Sequence, residues 1–191
     1  MDLIIATNNQ KKLKEMKAIL LKYFDSVQSL AEAGIDHETV EDGTTFEQNA
    51  LKKASEIAKI SGCAAVADDS GLVVDALGGE PGIYSARYAG GHGDDIANLN
   101  LVLERMEGKT ERSARFVCAL AYVNGEESVV FRGEMEGEIN RAPVGENGFG
   151  YDPIFFLPEY GCTSAEISPE QKNEISHRAK AIKQLAQYLE K

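Results

Sequence analysis

Little in this chain suits disulfide cross-linking, membrane insertion or polyanion binding. Its 191 residues include three cysteines, Cys63, Cys118 and Cys162, an odd number set far apart, two of them in largely apolar surroundings. Reduced thiols in a cytoplasmic protein are expected, not a disulfide frame. No run approaches the roughly 20 apolar residues that a spanning helix requires. The first residues pass straight into a strand-like Leu3-Ile4-Ile5-Ala6, with no charged leader ahead of an apolar signal core. A soluble protein that is not exported and has no membrane partner is therefore expected. Basic residues are scarce, 20 Lys and Arg against 31 Asp and Glu, for a net charge of −11. Affinity for nucleic-acid chains rests on clustered Lys and Arg, so a nucleic-acid polymer is an unsuitable partner, whereas a single small anion is suitable. Histidine is also rare. His37 and His92 have no obvious partners in the sequence, no Ser/His/Asp set is suggested, and no covalent intermediate is expected. Without repeats, low-complexity tracts or Pro/Ser-rich linkers, residues 1–191 read as a single domain.

What is present supports a sizeable core. With 43% apolar residues, a chain of this length buries roughly 70% of its unfolded surface. Residues 2–6 read as a buried strand, and residues 11–24 place Leu13, Met16, Leu20 and Tyr23 on one helical face. A second helix over 46–60 carries Ala50, Ala54, Ile57 and Ala58 and stops near Gly62, a left-handed cap. A short strand, Ala64 to Ala67, follows. Residues 72–77 fit a strand or a helical turn, and a helix over 94–106 buries Leu99, Val102, Leu103 and Met106. Apolar runs at 114–123 and 128–132 around Asn124-Gly125 give a hairpin signal, with 133–139 continuing the sheet. In the last helix Ser168-Pro169 is a cap followed by proline at the first helical position, and a break is expected near 173–176. The alternation predicts an α/β fold with a mixed central sheet and flanking helices, its two lobes enclosing a substrate cleft.

Four stretches carry candidate chemistry. Thr7-Asn8-Asn9-Gln10-Lys11-Lys12 lies at a strand-to-helix junction, where backbone N–H groups and Lys12 suit a triphosphate, although polar turns of this kind are common. Asp68-Asp69-Ser70-Gly71 follows an apolar run. Paired carboxylates at a strand end suit a divalent cation, and the same four residues are also good turn chemistry. Glu41-Asp42-Gly43 lies in a stretch, residues 25–47, with seven acidic groups and no Lys or Arg; such an end suits a divalent cation, but taken alone the loop reads as a solvated face or a helix N-terminus complementing its dipole. Gly148-Phe149-Gly150-Tyr151-Asp152-Pro153 sets an aromatic ring between two glycines, either a Gly-rich turn or a platform for a flat base. Lys172, His177 and Arg178 would then offer charge and donors around it.

Taken in order, these stretches resemble the inosine triphosphate pyrophosphatase family, the RdgB-like hydrolases of aberrant purine nucleoside triphosphates. The motifs are Thr7-x-Asn9-x-x-Lys12, Glu41-x-Gly43-x-Thr45-Phe46-x-x-Asn49-Ala50, Ala67 to Leu72, Pro81 to Gly90, Gly148 to Pro153, and Lys172-Asn173-x-x-Ser176-His177-Arg178. The resemblance implies conversion of ITP, dITP or XTP and water to the monophosphate and pyrophosphate, assisted by Mg²⁺, in an elongated two-lobed homodimer. It assigns Asp69 as general base and metal ligand, with Glu41 and Asp68 beside it. Thr7, Asn8, Asn9, Gln10, Lys11, Lys12 and Ser70 would hold phosphates, and Phe149, Gly150, Tyr151, Asp152, Lys172, His177 and Arg178 the base and sugar. Gln171, where the family often has Glu, and Asn100 to Leu103 depart from the pattern without touching these residues, and the Ser85 to Gly91 loop is left unassigned.

Overall fold

The computed structural model describes residues 1–91 and 93–191; His92 lies outside the described residues. Seven strands form one mixed sheet in the order β2-β1-β3-β4-β5-β6-β7, with β1 Asp2–Ile5, β2 Ser26–Ser29, β3 Ala64–Val74, β4 Ser113–Asn124, β5 Glu127–Ile139, β6 Phe155–Leu157 and β7 Cys162–Thr163. The helices are α1 Gln10–Leu20, α2 Phe46–Ser61, α3 Asp95–Arg105, α4 Pro169–Ile175 and α5 His177–Leu189. β1 is parallel to β2 and β3, while β6 runs antiparallel to β5 and β7. The expected α/β class with a mixed sheet is what the chain adopts.

Contacts divide the chain into two compact units, the first Met1–Asp69, Cys118–Gly133 and Lys180–Lys191, the second Ser70–Val117 and Glu134–Ala179. In the first, Leu13, Met16 and Leu20 of α1 and Ala181, Ile182 and Leu185 of α5 pack with Leu3, Ile5, Ala64 and Val66 of the sheet. In the second, Leu99, Val102 and Met106 pack with Leu72, Val74, Phe116 and Phe155. Each fully buried aliphatic side chain contributes about 1.5–3 kcal/mol relative to exposure.

Local signals mostly become the elements expected. Gly62 ends α2 at φ 69° with its N–H on the Ala58 carbonyl. β4 and β5 are joined by the two-residue turn Gly125-Glu126, with Gly125 at φ 62°. Ser168 and Gln171 form a reciprocal capping box ahead of α4, and the break falls at Ser176. Helix α1 is shorter than expected, ending at Leu20 because the chain turns at once into β2.

One expectation needs correction. The strand that begins at Ala64 does not stop at Ala67; β3 runs through Asp68-Asp69-Ser70-Gly71 to Val74, and residues 75–77 form a single 3₁₀ turn. Turn propensity is a local preference, and continuation of a strand that stands between β1 and β4 in the sheet overrides it. The two carboxylates therefore project to opposite faces of a sheet, as consecutive strand residues must.

Close approach of backbones fixes one glycine in the second unit. A Cβ on Gly137 of β5 would stand 2.5 Å from the Phe156 carbonyl oxygen and 2.6 Å from the Phe155 ring on β6. Gly137→Ala is expected to lower stability by about 2–3 kcal/mol through overpacking. In urea titrations the midpoint should fall with the slope unchanged, and a midpoint equal to wild type would show that β6 moves aside at no cost.

Candidate active site

Strand alternation builds the acidic centre of the first unit. Ala64 and Val66 face α1, and Asp68, next on that face, accepts from Lys12 Nζ at 2.8 Å. Asp69, on the other face, accepts from Asn49 Nδ2 of α2 at 3.0 Å. Asp68 is 2% exposed and Asp69 7%. Glu41, half-buried, pairs with Lys53 of α2 at 2.6 Å. Burial pulls the Lys53 ammonium down, but Asp68, Glu41 and Asp69 push it up and prevail, so it is held above its ordinary range.

Asp69 behaves differently from an ordinary carboxylate. Burial raises it most; Lys53 and the Asn49 amide act against that, Glu41 and Asp68 add to it, and the result is a pKa of about 6. A carboxylate so placed is a base poised near neutrality.

The strand-to-helix junction stands at the head of α1. Thr7 Oγ1 accepts from Asn9 N at 3.1 Å, and Asn9 Oδ1 caps the helix by accepting from Lys11 N and Lys12 N at 3.1 and 3.2 Å. Asn8, Asn9, Gln10 and Lys11 are exposed. Lys12 is thus brought to Asp68, while its neighbours line an open helix start.

In the second unit the Phe149 segment is organised by a buried carboxylate. Asp152, 2% exposed, accepts from Lys172 Nζ at 2.5 Å, Phe149 N at 3.0 Å and Ser164 Oγ at 2.9 Å. Lys172 Nζ also lies 5.0 Å from the centre of the Phe149 ring. Gly150 N donates to Asp95 at the start of α3 at 2.9 Å. Tyr151 is buried, its hydroxyl donating to the Ser85 carbonyl at 2.6 Å, and burial pushes the phenol well up. Its side chain is therefore part of the unit's interior. His177, at the head of α5, stacks on Phe116 at 5.0 Å between ring centres, and both it and Arg178 are buried. Ser70 is half-buried in β3 and belongs to this unit. The unassigned Ser85 to Gly91 loop is pinned by Asn98, which accepts from Ala89 N and donates to the Ala86 carbonyl.

Asn49 and Lys53 join this acidic centre although the sequence motifs do not nominate them as site residues. Their signal was present: a polar amide and a lysine, four residues apart, beside the apolar positions Phe46, Ala50, Ala54 and Ile57. Asn49 is 1% exposed, and a buried amide needs partners.

The chain is similar to known proteins over nearly its whole length. The chain is 51% identical over 190 residues to the dITP/XTP pyrophosphatase of Bacillus subtilis, covering 98% of this chain and 96% of that protein. It is 52% identical over 186 residues to the Listeria monocytogenes protein of the same name, covering 96% and 92%. Among solved structures, the Staphylococcus aureus Ham1 protein superposes with a TM-score of 0.93 at 46% identity, covering 100% of this chain and 98% of that one. A HAM1 protein from Coxiella burnetii gives 0.92 at 40% identity, with the same coverage. The family model described as the Ham1 family matches residues 3–188, and on this evidence the chain belongs to the Ham1 family.

Proposed function

We propose that this chain hydrolyses non-standard purine nucleoside triphosphates, dITP, XTP and ITP, to the monophosphate and pyrophosphate by attack of water on the α-phosphorus. The observation that carries the reading is Asp69, a buried carboxylate with a pKa of about 6 in a chain half-identical to dITP/XTP pyrophosphatases. Among the described residues no three His, Cys, Asp or Glu side chains converge as a metal cage. Mg²⁺ is commonly held by one or two carboxylates together with substrate phosphates, so Glu41 and Asp69, with Asp68 beside them, suit it. Bound there, Mg²⁺ would neutralise triphosphate charge and acidify a nearby water.

The chain's own residues supply the rest. Asp69 orients the water and takes its proton, its raised basicity offsetting the usual weakness of a carboxylate. Lys12 and the Thr7-Asn8-Asn9-Gln10-Lys11 segment hold the phosphates, joined by Ser70, and the charge they carry opposes the anionic character of the reacting group. Phe149 stacks on the base, Gly150 and Tyr151 contribute through their backbone, and Asp152 holds Lys172 beside the ring. Donors from His177 and Arg178 suit a 6-keto oxygen. The 6-amino group of adenine would leave them facing another donor and unpaired, so ATP is rejected.

We further read the chain as a homodimer of single-domain, two-lobed subunits in the cytoplasm, with a small nucleotide as its partner. The net charge of −11 supports a nucleotide over a nucleic-acid polymer. No helix among the described residues is long and apolar enough to cross a membrane.

Asp69→Asn is expected to lower kcat by about 10²–10⁴-fold while leaving the fold intact. The same variant has a second signature in EDTA. Between the ordinary carboxylate pKa of 3.8 and the folded value of about 6, the native state keeps a proton that the unfolded chain has lost. Wild-type stability therefore falls as pH rises through that window. The variant should be more stable than wild type by about 1–3 kcal/mol above pH 6, the gain vanishing below about pH 4. Near-wild-type turnover in a folded variant would remove Asp69 from the chemistry.

Arg178→Ala should narrow the kcat/KM gap between ITP and ATP, because it deletes a donor that favours one base and opposes the other. An unchanged ITP-to-ATP ratio in the folded variant would place base selection on other residues.

A further inference from the structure

The segment that carries Glu41, between β2 and α2, has no strand or regular helix of its own between residues 35 and 43. Side chains of α2 fasten it instead. Glu56 accepts from Thr39 Oγ1 at 2.9 Å and pairs with His37 at 2.6 Å. Lys52 Nζ donates to the Val40 carbonyl and to Asp42 at 2.7 and 2.8 Å. Lys53 pairs with Glu41 at 2.6 Å, and Gln48 Oε1 accepts from Thr44 N at 2.7 Å. Residues 48, 49, 52, 53 and 56 form one stripe of the helix.

Asn49 differs from the other members of that stripe. It is 1% exposed, and both ends of its planar amide are engaged across the unit: Oδ1 accepts from Gly43 N at 2.8 Å, while Nδ2 donates to Asp69 Oδ2 at 3.0 Å. A loop and a strand with no backbone ladder between them among the described residues are thereby hydrogen-bonded to the two ends of one amide, while Lys53, paired with Glu41, adds its charge near Asp69. The fit is close, since a Cβ on Gly43 would stand 2.6 Å from Asn49 Oδ1 and 2.9 Å from Gln48 Cβ. Aspartate at position 49 cannot donate to Asp69, and an apolar residue would leave the Gly43 N–H and the Asp69 oxygen unpaired in a buried place.

We infer that Asn49 is the positioning residue of the metal site: its amide sets the Glu41 segment and the Asp69 carboxylate in fixed register, so that a divalent cation meets a preformed pair of carboxylates before nucleotide arrives. The inference rests on the assignment of Glu41 and Asp69 as cation ligands. Asn49 touches neither water nor phosphate in this scheme. It occupies one Asp69 oxygen and thereby fixes the orientation of the other. Groups that orient ligands in this way commonly control metal affinity by 10–100-fold.

The test is Mn²⁺ binding to the nucleotide-free protein, measured by electron paramagnetic resonance, with thermal melts confirming folding. Asn49→Ala should weaken Mn²⁺ binding about 10–100-fold. Gly43→Ala, whose added methyl presses on the Asn49 amide and on Gln48 Cβ, should do likewise and carries the test if Asn49→Ala does not fold. Gln48→Ala, which loosens the same loop without reaching Asp69, should stay within about twofold. Wild-type affinity in folded Asn49→Ala, or an equal loss in Gln48→Ala, would overturn the inference. Failure of the underlying ligand assignment reads differently, since Asp69→Asn would then bind Mn²⁺ as wild type does.

Discussion

The Asp69 carboxylate sits where water solvates it poorly, and the arrangement of the first unit is organised around that cost. Desolvation lifts its pKa to about 6 against the opposing pull of Lys53 and Asn49. Each of those partners comes from α2, and each also grips the segment that carries Glu41. A charge held in such a place opposes folding, the relation expected wherever reactivity is kept at the expense of stability. The continuation of β3 through Asp68 and Asp69 is part of the same arrangement. A turn at this point would let both carboxylates swing into solvent, whereas strand geometry sends one to Lys12 and the other to Asn49.

The second unit shows the opposite use of a buried acid. Asp152 receives an ammonium, a backbone N–H and a hydroxyl, so its lone pairs are committed to holding the Phe149 segment and Lys172 in place. A carboxylate saturated in this way works as a frame. Asp69 accepts from the Asn49 amide and lies in the field of Lys53, and burial lifts its pKa to about 6.

Much of this was legible in the sequence, for identifiable reasons. Caps and turns are set by neighbouring residues, so Gly62, Ser168-Pro169, the Gly125 hairpin and the break before His177 could be placed by local rules. The motifs carry the resemblance to the inosine triphosphate pyrophosphatase family, in keeping with the Ham1 family match, and nominate Asp69 and Glu41 as site residues. What stayed hidden depends on partners distant in the chain. The turn-like Asp68-Asp69-Ser70-Gly71 continues as strand because it extends β3, whose neighbours in the sheet, β1 and β4, are distant in the chain. Asn49 and Lys53 gain meaning only when α2 lies over β3 and the acidic loop. The partners of the Asp152 and Tyr151 side chains, Lys172, Ser164 and the Ser85 carbonyl, are likewise remote in sequence.

The most direct test of the account is the fate of heavy oxygen during hydrolysis of ITP in labelled water. Attack at the α-phosphorus with Asp69 as base predicts IMP carrying one labelled oxygen, together with unlabelled pyrophosphate. Labelled inorganic phosphate accompanied by IDP would contradict it, because the reacting centre would then be the terminal phosphorus.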